Sequence, residues 1–323
     1  MTGKPAPTLA LGPMLFHWEA ARWRDFYFRI ADEAPIDTVY LGEVVCAKRR
    51  PFILPYLPEV CARLERAGKN VVFSTLALIM TEQEMDGIRE AIADPIIEAP
   101  IFEANDIATA ALLAGRPHVI GPFVNAYNED TIAYLAARGA FRISLPAELS
   151  ITALQALGRT EAVRTVGFEV QVFGRLPLAI SARCYHARAH DLHKDGCQFV
   201  CAKDPDGLTI ETLDNEPFLA INGTQTLSDS YCSLLGELQT LRDAGIVSFR
   251  LWPHSCDMVQ VAALFDAALG DVLAPEAAAA RLRGVVGDVP LANGYLQGRE
   301  GHLWLDATAA AGTASAAAMR AAK

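Results

Sequence analysis

Short apolar runs alternate with longer stretches of helical period along the first half of the chain. Thr8–Leu15, Asp37–Val44, Asn70–Leu78, Ile96–Phe102, His118–Asn125 and Phe141–Leu145 read as strands. His17–Ala34, Pro55–Gly68, Glu82–Ala93, Asp106–Ala114, Glu129–Arg138 and Ile151–Leu157 read as helices between and after them. Runs such as Asn70-Val-Val-Phe-Ser do not alternate with polar residues, which predicts strands covered on both faces and hence a parallel sheet. Successive β–α units of this kind predict an α/β fold: a (β/α) TIM-like barrel, either complete or irregular and incomplete. A doubly wound sheet is the alternative, but neither GxGxxG nor a P-loop marks a nucleotide site.

The rhythm changes after residue 160. Arg164–Phe168 and Glu169–Phe173 are strand-like, and Ser181–Gln198 is rich in Cys, His and Arg and poor in aliphatics. Asp204-Pro-Asp-Gly207 reads as a hairpin turn between extended segments. Ser228–Ala244 then reads as a helix, Gly245–Trp252 as a strand and Asp257–Leu269 as a helix. The expectation is one barrel domain over 1–306, interrupted by an insertion over 181–230. At roughly fifty residues it exceeds ordinary barrel loops and is a candidate functional element. The Ala-rich segment 307–323 predicts a disordered tail.

Charge and cysteine usage narrow the classes. Lys and Arg number 28 against 38 Asp and Glu, a net charge of −10, which disfavours nucleic acid and anionic membrane as partners. The chain shows no run of transmembrane length and no signal-like start. Seven cysteines are too few for a disulfide scaffold, so a cytoplasmic protein with reduced thiols is expected. Such thiols are metal ligands or small buried apolar residues.

Cys184, Cys197 and Cys201 are separated by twelve and three residues, and Cys46 follows the second strand, at the barrel's C-terminal mouth. An insertion emerging at the same mouth brings four thiols within reach of one another. Four soft anionic ligands suit a [4Fe–4S] cluster, a four-cysteine zinc site remains open, and so do unligated thiols. Lys48, Arg49, Arg183, Arg188 and Lys194 are expected to favour thiolate. Cys61, Cys232 and Cys256 are expected to be packed or unligated, with Cys232 opening a helix.

Around these cysteines the sequence resembles the peptidase U32 family over about residues 8–305. The carrying segments are Val39–Arg49 with Cys46, Phe173–Tyr185 with Cys184, Gly196-Cys197 with Cys201, Asn222–Ser228, and Phe249–His254. Within the family the resemblance is to the branch serving anaerobic ubiquinone biosynthesis. It implies a [4Fe–4S] cluster on Cys46, Cys184, Cys197 and Cys201, and an oxidoreductase that hydroxylates a quinone precursor without dioxygen, with prephenate as hydroxyl donor. It further implies a heterodimer with a homologous UbiU-like subunit and a UbiT-like lipid carrier presenting the quinone precursor. Tyr185–Gly196 lacks the additional cysteines of the broader family pattern, which favours the ligand set of the other subunit over the UbiU-like one. HExxH, GxSxG and a catalytic triad are missing from the sequence, so the peptidase label finds no support in it.

Other residues carry weaker chemistry. A dicarboxylate such as prephenate calls for arginine forks, for which Arg175, Arg183, Arg188 and Arg250 are candidates. Glu43 and Glu169, near strand ends, can orient substrate or move a proton, or else pair with cations. Glu43, Arg175 and Arg183 are the leading catalytic candidates. His186, His190 and His193 are expected to be solvated or to tune the cluster, and Asn222 and Gln225 to shape the mouth or bond a turn. The competing functional readings are a non-catalytic metal scaffold for a catalytic partner, an RNA-modifying hydroxylase, and a peptidase.

Overall fold

A computed structural model describes residues 6–160 and 165–306. The tail expected over 307–323 and the predicted strand start at Arg164 lie outside the described residues.

In chain order the elements begin β1 (Thr8–Leu11), α1 (Ala20–Glu33), β2 (Thr38–Leu41), α2 (Arg50–Ile53), α3 (Leu57–Arg66), β3 (Asn70–Ser74) and α4 (Glu82–Ala93). They continue β4 (Ile101–Ala104), α5 (Ile107–Leu112), β5 (His118–Ile120), α6 (Glu129–Ala136), β6 (Ala140–Ser144), α7 (Ile151–Gly158) and β7 (Gly167–Ile180). The insertion supplies α8 (Tyr185–Arg188), β8 (Leu208–Glu211), β9 (Pro217–Asn222) and β10 (Gln225–Ser233). The chain returns through α9 (Leu238–Asp243), β11 (Ile246–Leu251), α10 (Met258–Leu269), α11 (Pro275–Val286) and β12 (Leu291–Ala292).

Strands β1 to β7 pair in order and in parallel, and β11 closes the ring by pairing with both β7 and β1. The fold is therefore a closed eight-stranded TIM-like α/β barrel. β1 to β3 are almost wholly buried, as their unbroken apolar runs require. Helix starts follow side-chain acceptors. Thr81 and Glu84 form a reciprocal capping box on α4, and Asp106, Asn128, Ser150 and Asp257 cap α5, α6, α7 and α10. Among the described residues no helix is long and apolar enough to cross a membrane.

β7 belongs to two sheets. Its first half lines the barrel between β6 and β11, and its second half leaves the mouth and pairs antiparallel with β10. β9 and then β8 extend that ribbon. The strand departs at Gly174, where φ is +104° and an added Cβ would meet His254 Nε2 at 2.8 Å and Trp252 Cβ at 2.9 Å. The two strand-like runs around Phe168 and Phe173 are thus one long strand.

Three expectations are corrected. Ser228–Ala244 is not one helix: Gln225–Ser233 is a strand saturated by β7 and β9 on its two edges, and helix begins only at Leu238. Cys232 consequently lies in β10, buried, and opens no helix. Asp204–Gly207 does form a turn, with Gly207 N–H donating to Asp204 O at 3.0 Å, but it follows a 3-10 turn over Val200–Lys203 and joins no hairpin. Its carboxylates are engaged instead, since Asp206 accepts from Ser255 N–H and faces His254.

The barrel interior carries a closed set of charges. Arg250, fully buried on β11, reaches Glu103 Oε1 and Glu169 Oε1, each at 2.5 Å. Ser74 and Asn105 complete Glu103, while Tyr40 and Ser248 complete Glu169, with Arg142 3.8 Å away. Two arginines balance two carboxylates, which is the condition under which buried charge is tolerated.

Candidate functional site

Cys46 is presented by the turn after β2. The Glu43 carboxylate accepts from Val45 N–H at 2.8 Å and Cys46 N–H at 2.9 Å, and Arg49 N–H donates back to Cys46 O at 2.9 Å. This fixes the backbone on both sides of the thiol. Lys48 then reaches across, donating to the carbonyls of Lys194 at 2.6 Å and Asp195 at 3.0 Å and approaching Cys197 Sγ at 3.9 Å. Thr224, in the β9–β10 turn, donates to Val45 O at 3.0 Å. The barrel loop and the insertion are thereby bolted together around the thiols.

The other three cysteines come from the insertion. Cys184 precedes α8 and its Sγ accepts from Ala187 N–H at 3.4 Å. Between Cys197 and Cys201 the chain holds Gln198 and Phe199 both at positive φ, 50° and 53°. Non-glycine residues avoid this region, so its use twice in a row marks a segment held in place by its surroundings. The Phe199 ring supplies the hold, packing on Phe52 at 4.8 Å and His17 at 5.6 Å. Cys46, Cys184, Cys197 and Cys201 line one small pocket together with Arg49, His186, Lys194 and Gly223. All four are free thiols. Cys61, Cys232 and Cys256 are free thiols elsewhere, outside the lining of this pocket.

Arg49 is the buried charge of the pocket. It is 2% exposed, and its bonded partners are neutral: Leu15 O at 2.9 Å, Asn222 Oδ1 at 3.0 Å and the Cys201 thiol. Glu43 acts on it through space. Gly223 makes room for it, since φ there is +62° and a Cβ would meet Arg49 Nη2 at 2.6 Å. The expectation that cations favour thiolate is corrected in part. Burial pushes the Cys46 and Cys201 thiols above their ordinary values, and Arg49 only partly offsets it. Burial likewise raises the Glu43 carboxyl, against Arg49 and the two backbone donors.

The remaining candidates separate clearly. Glu43 stands under Cys46 as a backbone anchor. The Arg175 guanidinium is spent on the carbonyls of Asp206, Ser228 and Asp229, at the root of the ribbon and outside the cysteine pocket. Arg250 is spent on the interior carboxylates and Glu169 with it, so neither Arg175 nor Arg250 offers an open fork to a dicarboxylate. Arg183 and Arg188 are exposed on either side of Cys184–Ala187. His193 is exposed, while His186 is buried and its Nε2 lies 2.8 Å from Asp204 Oδ2. Asn222 donates to Gln225 Oε1 and to the Leu15 carbonyl that also accepts from Arg49. Sequence reasoning missed Glu103 and Asp204. The acidic turn residues were visible, but nothing local signals that imidazoles come to meet both, His186 at Asp204 and His254 at Asp206.

A second and larger cavity, of about 590 Å³, opens beside α6 and is lined by Asn105, Asp106, Phe123, Asp130 and Tyr134 among others. Its charged lining is acidic, so it does not suit a dicarboxylate.

Fold and site together define a (β/α)-barrel protein whose mouth carries a four-thiol pocket, assembled from one barrel loop and a long insertion. The sequence model of peptidase family U32 matches residues 26–305, and the chain belongs to that family. Among solved structures it is similar to the U32 peptidase Mk0906, at 12% identity and a TM-score of 0.44, over 79% of this chain and 95% of that one. It is also similar to an enolase from Agrobacterium radiobacter, at 14% identity and a TM-score of 0.32, over 70% of this chain and 62% of that one.

Proposed function

We propose that the four-cysteine pocket holds a [4Fe–4S] cluster and that the chain is the iron–sulfur subunit of an oxygen-independent hydroxylase, acting as UbiV proteins do in anaerobic ubiquinone biosynthesis. The observation that carries this is the convergence of Cys46, Cys184, Cys197 and Cys201 on one pocket from two distant parts of the chain. The donor set is soft, as iron–sulfur clusters require.

Spacing favours a cluster over a single ion. Thiolates around one tetrahedral zinc sit about 3.8 Å apart, given Zn–S bonds of about 2.3 Å. Among the described residues, the three-ligand set lying within 4.8 Å in this region is an imidazole and carboxylate set, not three of the thiols. Positive charge from Arg49, Lys48 and Lys194 offsets the charge of a cluster with four thiolates.

A bound cluster would supply one-electron transfer or structural support, because four cysteine ligands leave no iron open. The chain's own residues do the rest. Glu43 and Lys48 hold the two ligand-bearing backbones, and Phe199 with Phe52 screens the pocket. Arg183 and Arg188, exposed beside Cys184, are the cations open to the carboxylates of prephenate. A UbiU-like subunit and a UbiT-like carrier of the quinone precursor complete the system. The test is anaerobic hydroxylation of the precursor by the reconstituted pair with prephenate. Product is expected with wild type and none with Cys197→Ser. Undiminished turnover by Cys197→Ser would reject the role.

A further inference from the structure

Beside the thiol pocket stands a second ligand set that the cluster does not use. His186 and His190 are four residues apart on α8 and the turn that continues it, so they share one face. Asp204 arrives from the other arm of the insertion, three residues after Cys201. One ligand atom from each of His186, His190 and Asp204 lies within 4.8 Å of the others. The imidazoles run nearly parallel, 14° between planes, with centroids 5.8 Å apart.

Two features ask for a cation here. His190 Nε2 is buried and unpartnered, and His186, 1% exposed, turns its Nε2 to the Asp204 carboxylate. Buried polar atoms without partners are rare and costly. The Asp204 carboxylate faces the His186 ring across 2.8 Å, only about one-quarter exposed, and calls for a positive partner. A metal ion satisfies the carboxylate and binds neutral imidazole through one nitrogen, while the other keeps its single proton. Tetrahedral ligands with bonds of about 2.0–2.2 Å lie about 3.3–3.6 Å apart, so an ion need only part His186 Nε2 and Asp204 Oδ2, now 2.8 Å apart in a hydrogen bond, by about half an ångström. Asp204 is about one-quarter exposed, so water can complete the shell.

We propose that His186, His190 and Asp204 bind a divalent transition metal of the zinc or ferrous class, separately from the thiols. Two imidazoles and one carboxylate are the donor set such ions take. The ion clamps the segment after Cys184 to the segment after Cys201 and so fixes the separation of those two thiols. His186 lines the thiol pocket and forms the wall shared by the two sites. The inference rests on these residues alone and stands whether or not the thiols hold a cluster.

The test uses the full chain carrying Cys184→Ser and Cys197→Ser, stripped with a chelator and titrated with Co²⁺. Cobalt on nitrogen and oxygen ligands gives weak visible bands, whereas cobalt on thiolate gives an intense near-ultraviolet band. Saturation with visible bands alone, together with a higher melting temperature, is the expected result. Adding His190→Ala or Asp204→Asn should weaken Co²⁺ binding about tenfold or more. His190→Gln serves in place of His190→Ala if far-ultraviolet circular dichroism shows the latter unfolded. No visible bands at saturation, bands only of thiolate type, or binding indifferent to both substitutions would overturn the proposal.

Discussion

Arg250 and Arg49 are both buried arginines of the same barrel, and they sit in opposite surroundings. Arg250 lies between two carboxylates whose remaining oxygens are taken by Ser74, Asn105, Tyr40 and Ser248. Arg49 is bonded to a carbonyl, an amide and a thiol, beside two consecutive residues at positive φ. The first region is balanced in charge and serves the fold. The second has soft donors, surplus cation and local strain, which is what a site awaiting a ligand looks like.

The sharpest way to break this contrast is to treat both regions alike. Arg250→Met leaves two buried carboxylates with Arg142 alone beside them, and should cost about 3–5 kcal/mol of stability in urea unfolding. Cys197→Ser, in metal-free protein, should change stability by no more than about 0.5 kcal/mol while removing iron binding. Equal stability losses would erase the distinction. Next in size, Gly223→Ala drives a Cβ toward Arg49 at a left-handed position and should cost about 1–2 kcal/mol and lower iron occupancy. Full occupancy in that variant would separate Arg49 from the site.

A smaller effect is expected with pH. Burial holds the His254 ring below the ordinary value of 6.5, against the pull of Asp206. A lowered histidine contributes stability that is present above 6.5 and lost as pH falls through the folded value. Melting temperature should therefore fall between pH 7.5 and 5.5, and His254→Gln should flatten that limb. An unchanged slope would contradict it. Smallest of all, Arg183→Ala should leave stability within about 0.5 kcal/mol, its side chain being exposed, yet weaken prephenate binding by the reconstituted pair. Unchanged prephenate affinity would remove Arg183 from the site.

The fold was legible where local chemistry and packing agree. Glu82–Ala93 is bounded as read because Thr81 and Glu84 cap it, and the strand runs lie in the barrel because their apolar residues need cover on both faces. Gln225–Ser233 misled because Thr-Leu-Ser-Asp-Ser resembles a helix start, whereas its state is set by β9 across a tight turn and by β7 far upstream in sequence. The fourth strand sits at Ile101–Ala104, later than its apolar run suggested. The gathering of the four cysteines was legible because Cys46 follows a barrel strand and the insertion leaves the same mouth. Their gathering with Arg49 and Lys48 was only half legible, because charge beside a thiol does not announce how deeply both are buried. Arg175 and Arg250 looked like substrate forks and are structural, since nothing local to them in sequence names the carbonyls and carboxylates they meet.

The central claim is tested most directly by counting iron and acid-labile sulfide per chain on protein purified without oxygen, for wild type and Cys197→Ala. About four of each in wild type, lost in a variant that stays folded, is the predicted result. Stoichiometric zinc in place of iron, or no metal in the wild type under strict anaerobiosis, would contradict it.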